Sequence, residues 1–218
     1  MKKLLLPFAF CALAGPALAH PHIFIDTGFR MEFDEKGQLT AVHVTWVYDD
    51  FYSLVMIEDL ELDVDGDSAV SKAEEAALVG FDMNWMEGFD GDLQVFHGGQ
   101  RIALSGPVEP TATIENGQIV TTHRRKVLSP SETGGAGNWE FRPFDPTFYT
   151  LYEIHQPAKV AGPPGCEAKV VAPDIEAGLI TVRAELYALD EAEFPDAETT
   201  ERLSTALASR VIVACPVS

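Results

Sequence analysis

The mature-looking part of the chain opens with a period-two alternation. From His22 to Phe33 the apolar residues Ile23, Ile25, Phe29, Met31 and Phe33 fall on odd positions, and from Leu39 to Tyr48 the residues Val42, Val44, Trp46 and Tyr48 fall on even ones. Asp34-Glu35-Lys36-Gly37 between them is turn chemistry, so the pattern predicts a β-hairpin. A four-residue loop would place Phe33 opposite Gln38, Ile25 opposite Trp46 and His22 opposite Asp49, with both apolar sets on one face. The period then changes. Phe51 to Leu62 and Ser71 to Trp85 read as helical segments around a run of acids, an insertion at about 50–87. Strand signals return at Leu93–Phe96, Ile102–Leu104, Thr111–Ile114 and Ile119–Thr122, and Trp139–Ile154 reads as extended with a break at Asp145-Pro146. Lys169–Val171 suggests a strand, and Ile180–Leu186 a strand or a helix. Asp196 can cap a helix to about Ser209, with Arg210–Cys215 a short β-like end. The expected fold is mainly β: an antiparallel β-sandwich-like domain with a helical EF-hand-like insertion and a short C-terminal helix.

The first nineteen residues stand apart from this pattern. Lys2 and Lys3, the apolar stretch Leu4–Ala14 and the A-x-A site Ala17-Leu18-Ala19 read as a signal peptide, 1–19, which leaves one domain, 20–218, beginning at His20. No later apolar run is long enough for a membrane span, so a periplasmic location without membrane insertion is expected. Export places Cys166 and Cys215 in an oxidising compartment, where two cysteines most often form a structural disulfide. The chain has 218 residues with 34 acidic against 15 basic side chains, a formal charge of −19. Such a balance repels nucleic acid and anionic lipid and makes cations the natural partners.

The acids carry a specific pattern. Asp63-Val64-Asp65-Gly66-Asp67-Ser68-Ala69-Val70-Ser71-Lys72-Ala73-Glu74 matches a calcium loop. Calcium takes six to eight oxygens. Asp63, Asp65 and Asp67 occupy positions one, three and five, the Ala69 carbonyl position seven, Ser71 position nine, and Glu74 the bidentate position twelve. Ser68 stands where glycine usually allows the sharp turn, and is expected to weaken affinity. The alternative is an acidic capping loop that binds nothing.

Signal removal would also create an amino-terminal chelate. The α-amine and imidazole of His20, with His22 two residues on, are nitrogen donors suited to Zn, Ni, Co or Cu. Pro21 has no amide proton, which closes the square-planar amide mode. Asp49 is the expected third ligand because the predicted register sets it opposite His22. His43 reads as structural, and His97, His123 and His155 as surface or hydrogen-bonding residues.

An exported His20-Pro21-His22 followed by Ile23-Phe24-Ile25-Asp26, a W-x-Y-D element (Trp46 to Asp49), the acidic loop and Asp145-Pro146-Thr147-Phe148-Tyr149 occur in that order. In this the chain resembles an uncharacterised bacterial family described as the periplasmic component of an ABC-type transport system. The resemblance implies a partner membrane permease of nickel/cobalt type and a role in transition-metal handling. It implies no catalytic residue. The expected function is therefore a non-enzymatic metal-binding accessory with a structural calcium site. One alternative is a calcium-stabilised interaction module using Trp85, Phe89, Phe144, Phe148 and Tyr149. The other is a copper-dependent oxidoreductase built on His20. No nucleophile, phosphate-binding or zinc-protease motif supports an enzyme.

Overall fold

A computed structural model describes residues 22–67, 69–129, 137–178, 180 and 196–215. The signal segment 1–19, His20, Ser68 with its expected strain, and most of the 180–186 segment lie outside those residues.

The opening hairpin is strand β1 (Ile23–Phe33) against β2 (Leu39–Tyr48), antiparallel. Its register corrects the expected one by two residues: Ile25 lies opposite Tyr48, Thr27 opposite Trp46, and Phe33 opposite Leu39. The connecting loop has one residue more than expected, and a bulge at Glu32/Phe33 absorbs it. Without that bulge the slip would turn one apolar set outward. With it, Leu39, Val42, Val44, Trp46 and Tyr48 are all buried, although Leu39 is out of phase with the rest in the sequence.

Strands β3 (Leu93–His97), β4 (Gln100–Ile102), β5 (Val108–Glu115), β6 (Gln118–Lys126), β7 (Trp139–Pro143), β8 (Thr150–Glu153), β9 (Ala158–Ala161), β10 (Glu167–Val171) and β11 (Arg210–Ala214) complete two sheets. The first runs β5-β6-β2-β1-β8, with β9 also on β1; the second runs β10-β11-β7-β3-β4. The second sheet is antiparallel throughout, whereas β8 and β9 pair with β1 in parallel, so the first is mixed. One core serves both: Ile25, Phe29, Met31, Val44 and Ile119 from the first sheet meet Val95, Phe141, Val211 and Val213 from the second. Phe29 and Phe141 approach to 6.3 Å between ring centroids, and Phe33 packs edge-on to Trp139.

Helix α1 (Asp50–Asp59) follows β2 directly, and α2 (Ala197–Leu207) is capped by the Asp196 side chain, as expected. The second helix expected in the insertion, Ser71–Trp85, is absent. A single 3-10 turn, Glu75–Leu78, is followed by irregular turns. Gly80 and Gly88 take positive φ there and break any continuing helix. Two leucines tie the insertion to the core: Leu62 before the acidic loop and Leu78 after it are 2% and 0% exposed. Replacing either by alanine should cost about 2–5 kcal/mol.

Candidate metal centre

The acidic loop hangs between these two leucine anchors. Asp63, Asp65 and Asp67 each turn one carboxylate oxygen toward a common point, with the three atoms within 4.8 Å of one another. Among the described residues no other group of three metal-capable side chains gathers this closely. Backbone amides hold the acids in place. The Asp67 amide donates to Asp63 Oδ1 (3.0 Å) and Asp65 Oδ1 (3.2 Å), and the Ala69 amide donates to Asp67 Oδ1 (2.9 Å). The tight reversal falls at Gly66, with φ +73°, two positions before the serine that the sequence pattern singled out.

Glu74 closes the loop. Its Oε2 accepts the Ser71 amide at 2.8 Å and its Oε1 the Val64 amide at 2.9 Å. The Glu74 amide in turn reaches Ser71 Oγ at 3.4 Å, a capping box at the start of the 3-10 turn. Hydrogen bonds from Ser71 and then Val64 hold the Glu74 carboxyl below its ordinary range, so it is ionised and faces both ends of the loop. Val70 packs on the core beneath. The donor set is all oxygen, which suits a hard cation and not a soft one.

The amino-terminal edge is built differently. Asp49 is the N-cap of α1. Its Oδ1 accepts the Tyr52 amide at 2.8 Å and its Oδ2 the Phe24 amide at 2.9 Å, while its own amide donates to the Phe24 carbonyl. Phe24, and not His22, therefore stands opposite Asp49; the expected facing pair is corrected by the same two-residue shift that the bulge imposes. His22 is exposed, packs its ring at a tilt against Tyr149 at 4.9 Å between centroids, and donates its amide to the Tyr149 carbonyl at 2.8 Å. That carbonyl is presented by a turn in which Asp145 accepts the Thr147 amide and hydroxyl and the Thr150 amide. Three separated sequence elements, at residues 22, 49 and 145–149, thus converge on one end of β1. Cys166 and Cys215 form the expected disulfide, S–S 2.04 Å, between the ends of β10 and β11. A closed loop of 49-residue separation is worth about 4 kcal/mol on chain entropy.

The family described as protein of unknown function (DUF1007) matches residues 5–215. The chain belongs to this family. No curated protein matches it.

The DUF1007 fold also encloses a polar layer that the sequence reading missed. On β6 the residues Ile119, Thr121, His123 and Arg125 all face inward and are buried. Because three of these four are polar, the alternation was invisible and the strand was expected to stop at Thr122; it runs to Lys126. Asp82 lies over this face. Tyr48 and Thr121 hydroxyls donate to its Oδ2 at 2.9 and 2.7 Å, and burial raises its pKa above the ordinary carboxylate value. Tyr152 donates to Asp92 at 2.9 Å, and burial, reinforced by the nearby Asp145 carboxylate, pushes Asp92 up to about 8.

His123 is neither at the surface nor hydrogen-bonded, contrary to expectation. It is 1% exposed, neither ring nitrogen has a partner, and it sits between the Trp46 and Trp85 rings at 4.7 and 5.5 Å. Burial, with the Arg125 charge beside it, pushes its pKa down to about 3, so it is a neutral core side chain. Trp85 is itself pinned between this histidine and the Arg125 guanidinium, 5.0 Å from the ring, and Gly91 leaves room for its indole, where any Cβ would collide. Of the aromatics considered for a recognition surface, Phe144 is buried, Trp85 is half-buried, and Phe89 and Tyr149 are exposed. Among the described residues no helix is long and apolar enough to cross a membrane.

Proposed function

We propose that this protein is an exported, periplasmic metal-binding accessory of a transition-metal transport system, a β-sandwich-like domain whose acidic loop holds a structural calcium ion. The observation that carries the reading is the convergence of the Asp63, Asp65 and Asp67 oxygens, with ionised Glu74 poised across the loop. Calcium there would clamp the chain between the Leu62 and Leu78 anchors and substitute for the missing second helix.

The transition-metal end of the proposal is the amino terminus. Removal of residues 1–19 would leave the His20 amine and imidazole beside the His22 imidazole, a nitrogen set for Zn, Ni, Co or Cu. The Tyr149 turn and the Asp49 carboxylate, which grips the Phe24 amide, would hold the strand that carries them. The resemblance to transport-system periplasmic components supports a membrane permease as the recipient or donor of the ion.

Calorimetry on protein beginning at His20 tests both ends. Calcium binding should be lost in Asp65→Asn/Asp67→Asn and kept in His22→Ala. Nickel or zinc binding should behave the opposite way. Nickel or zinc affinity unchanged by His22→Ala would discard the terminal site and the transport role with it.

A further inference from the structure

The outer face of the first sheet carries a charge pattern at odds with the rest of the molecule. Arg30 on β1 lies opposite His43 on β2, His43 lies opposite Arg124 on β6, and Arg30 is also the register partner of Lys159 on β9. Four basic side chains from four adjacent strands therefore stand in one transverse row. Arg30, His43 and Arg124 point away from the core, since their sequence neighbours Phe29 and Met31, Val42 and Val44, and His123 and Arg125 are buried, and Lys159 is exposed between Ala158 and Val160, which pack against the core. Strands lie about 4.8 Å apart, so the row spans roughly 14 Å. In a chain with 34 acidic and 15 basic residues this is a local reversal of sign.

Like charges abreast on neighbouring strands destabilise a sheet. One acid offsets part of the repulsion: Glu32, in the next row, accepts from Arg30 and Arg124 at 2.8 Å each, and His43 Nε2 lies 2.8 Å from both the Glu32 carboxylate and the Arg30 guanidinium. Glu109 lies 3.9 Å from Arg124 at the far end. Among the described residues Lys159 makes no ion pair, and the Arg30 side chain is 46% exposed. The row keeps a positive surplus that the fold does not use.

We propose that this row is a docking strip for an extended acidic segment of a partner protein. A segment of four or five residues spans roughly 14 Å, and its carboxylates meet the guanidinium groups in charge-assisted hydrogen bonds. The net charge of −19 favours this occupant over an anionic membrane. A lipid surface meets the whole acidic molecule, whereas a narrow segment feels only charges within a Debye length of about 8–10 Å.

Fluorescence anisotropy with a labelled deca-glutamate peptide at about 0.1 M ionic strength, where the Debye length is about 10 Å, tests the strip. Arg30→Gln/Lys159→Gln should weaken binding about tenfold or more. The control Lys36→Gln/Lys169→Gln, with the same change in net charge at exposed sites elsewhere, should weaken it by less than about twofold. All four substituted side chains lie outside the core, and melting curves of both variants check that the fold is kept. Equal weakening in the two variants would overturn the proposal, as would no peptide binding by the unsubstituted protein. So would vesicles of phosphatidylglycerol and phosphatidylethanolamine that bind through Arg30 and Lys159 while the peptide does not.

Discussion

Two sets of carboxylates in this protein meet opposite fates. Asp63, Asp65 and Asp67 lie in a surface loop, are held by backbone amides, and bring one oxygen each within 4.8 Å of one another, with Glu74 held across the loop by the Ser71 and Val64 amides. Asp82 and Asp92 lie beneath the sheet, are held by the hydroxyls of Tyr48, Thr121 and Tyr152, and have raised pKa values. Amides around an exposed loop stabilise the ionised form and leave other lone pairs open to a cation. Burial, which at Asp92 outweighs the pull of the Arg125 charge, favours the protonated form, which acts as a polar strut. The same residue type thus serves as a candidate ligand in one region and as scaffolding in the other, and solvent exposure decides which.

The largest contrast should be in pH dependence. Asp92 has a folded pKa of about 8, above its ordinary 3.8, so the folded state binds the extra proton and its contribution to stability falls as pH rises between those values. His123 has a folded pKa of about 3, below its ordinary 6.5, so the unfolded state binds the extra proton and stability falls as pH drops through that window. The two slopes oppose each other between about pH 4 and 6.5, and above that Asp92 acts alone. Urea-denaturation midpoints against pH should therefore show Asp92→Asn abolishing the loss from pH 6.5 to 8, about 1 kcal/mol per unit. His123→Leu should leave the Asp92 slope unopposed, so that stability rises as pH falls from about 6.5 to 4. Profiles parallel to the unsubstituted protein would show that neither group is buried as described.

A smaller effect sharpens the comparison at constant pH. Thr121→Val removes one of the two hydroxyl donors to Asp82 Oδ2 and should cost about 1–3 kcal/mol at pH 7. Asp67→Asn keeps the oxygen that accepts the Ala69 amide, and without calcium should change stability by less than about 0.5 kcal/mol. Equal losses from the two substitutions, measured by denaturant titration in chelator, would erase the distinction between strut and ligand.

The sequence was most readable where polarity and burial agree. The first hairpin, α1, the hairpin around Glu115–Gln118, the Asp196 cap and the Cys166–Cys215 bridge all follow from periodicity, turn chemistry or compartment. Reading failed where polar residues occupy the inside. Thr121, His123 and Arg125 concealed half of β6, and the Asp82 layer was not anticipated. Register failed for a different reason: a bulge adds a residue without a residue type that announces it, although the out-of-phase Leu39 was a usable sign. The two-residue error carried directly into the expected His22–Asp49 pair. The parallel placement of β8 and β9 on β1 is a long-range choice that no local pattern contains.

Calcium titration by calorimetry, comparing Asp65→Asn/Asp67→Asn with Asp82→Asn/Asp92→Asn, puts the contrast between the two carboxylate sets to its most direct test. The loop pair should lose at least about thirtyfold in affinity, from the removal of two of the three convergent charges. The buried pair should bind within about twofold of the unsubstituted protein. Undiminished calcium binding by the loop pair, or its loss in the buried pair alone, would contradict the account.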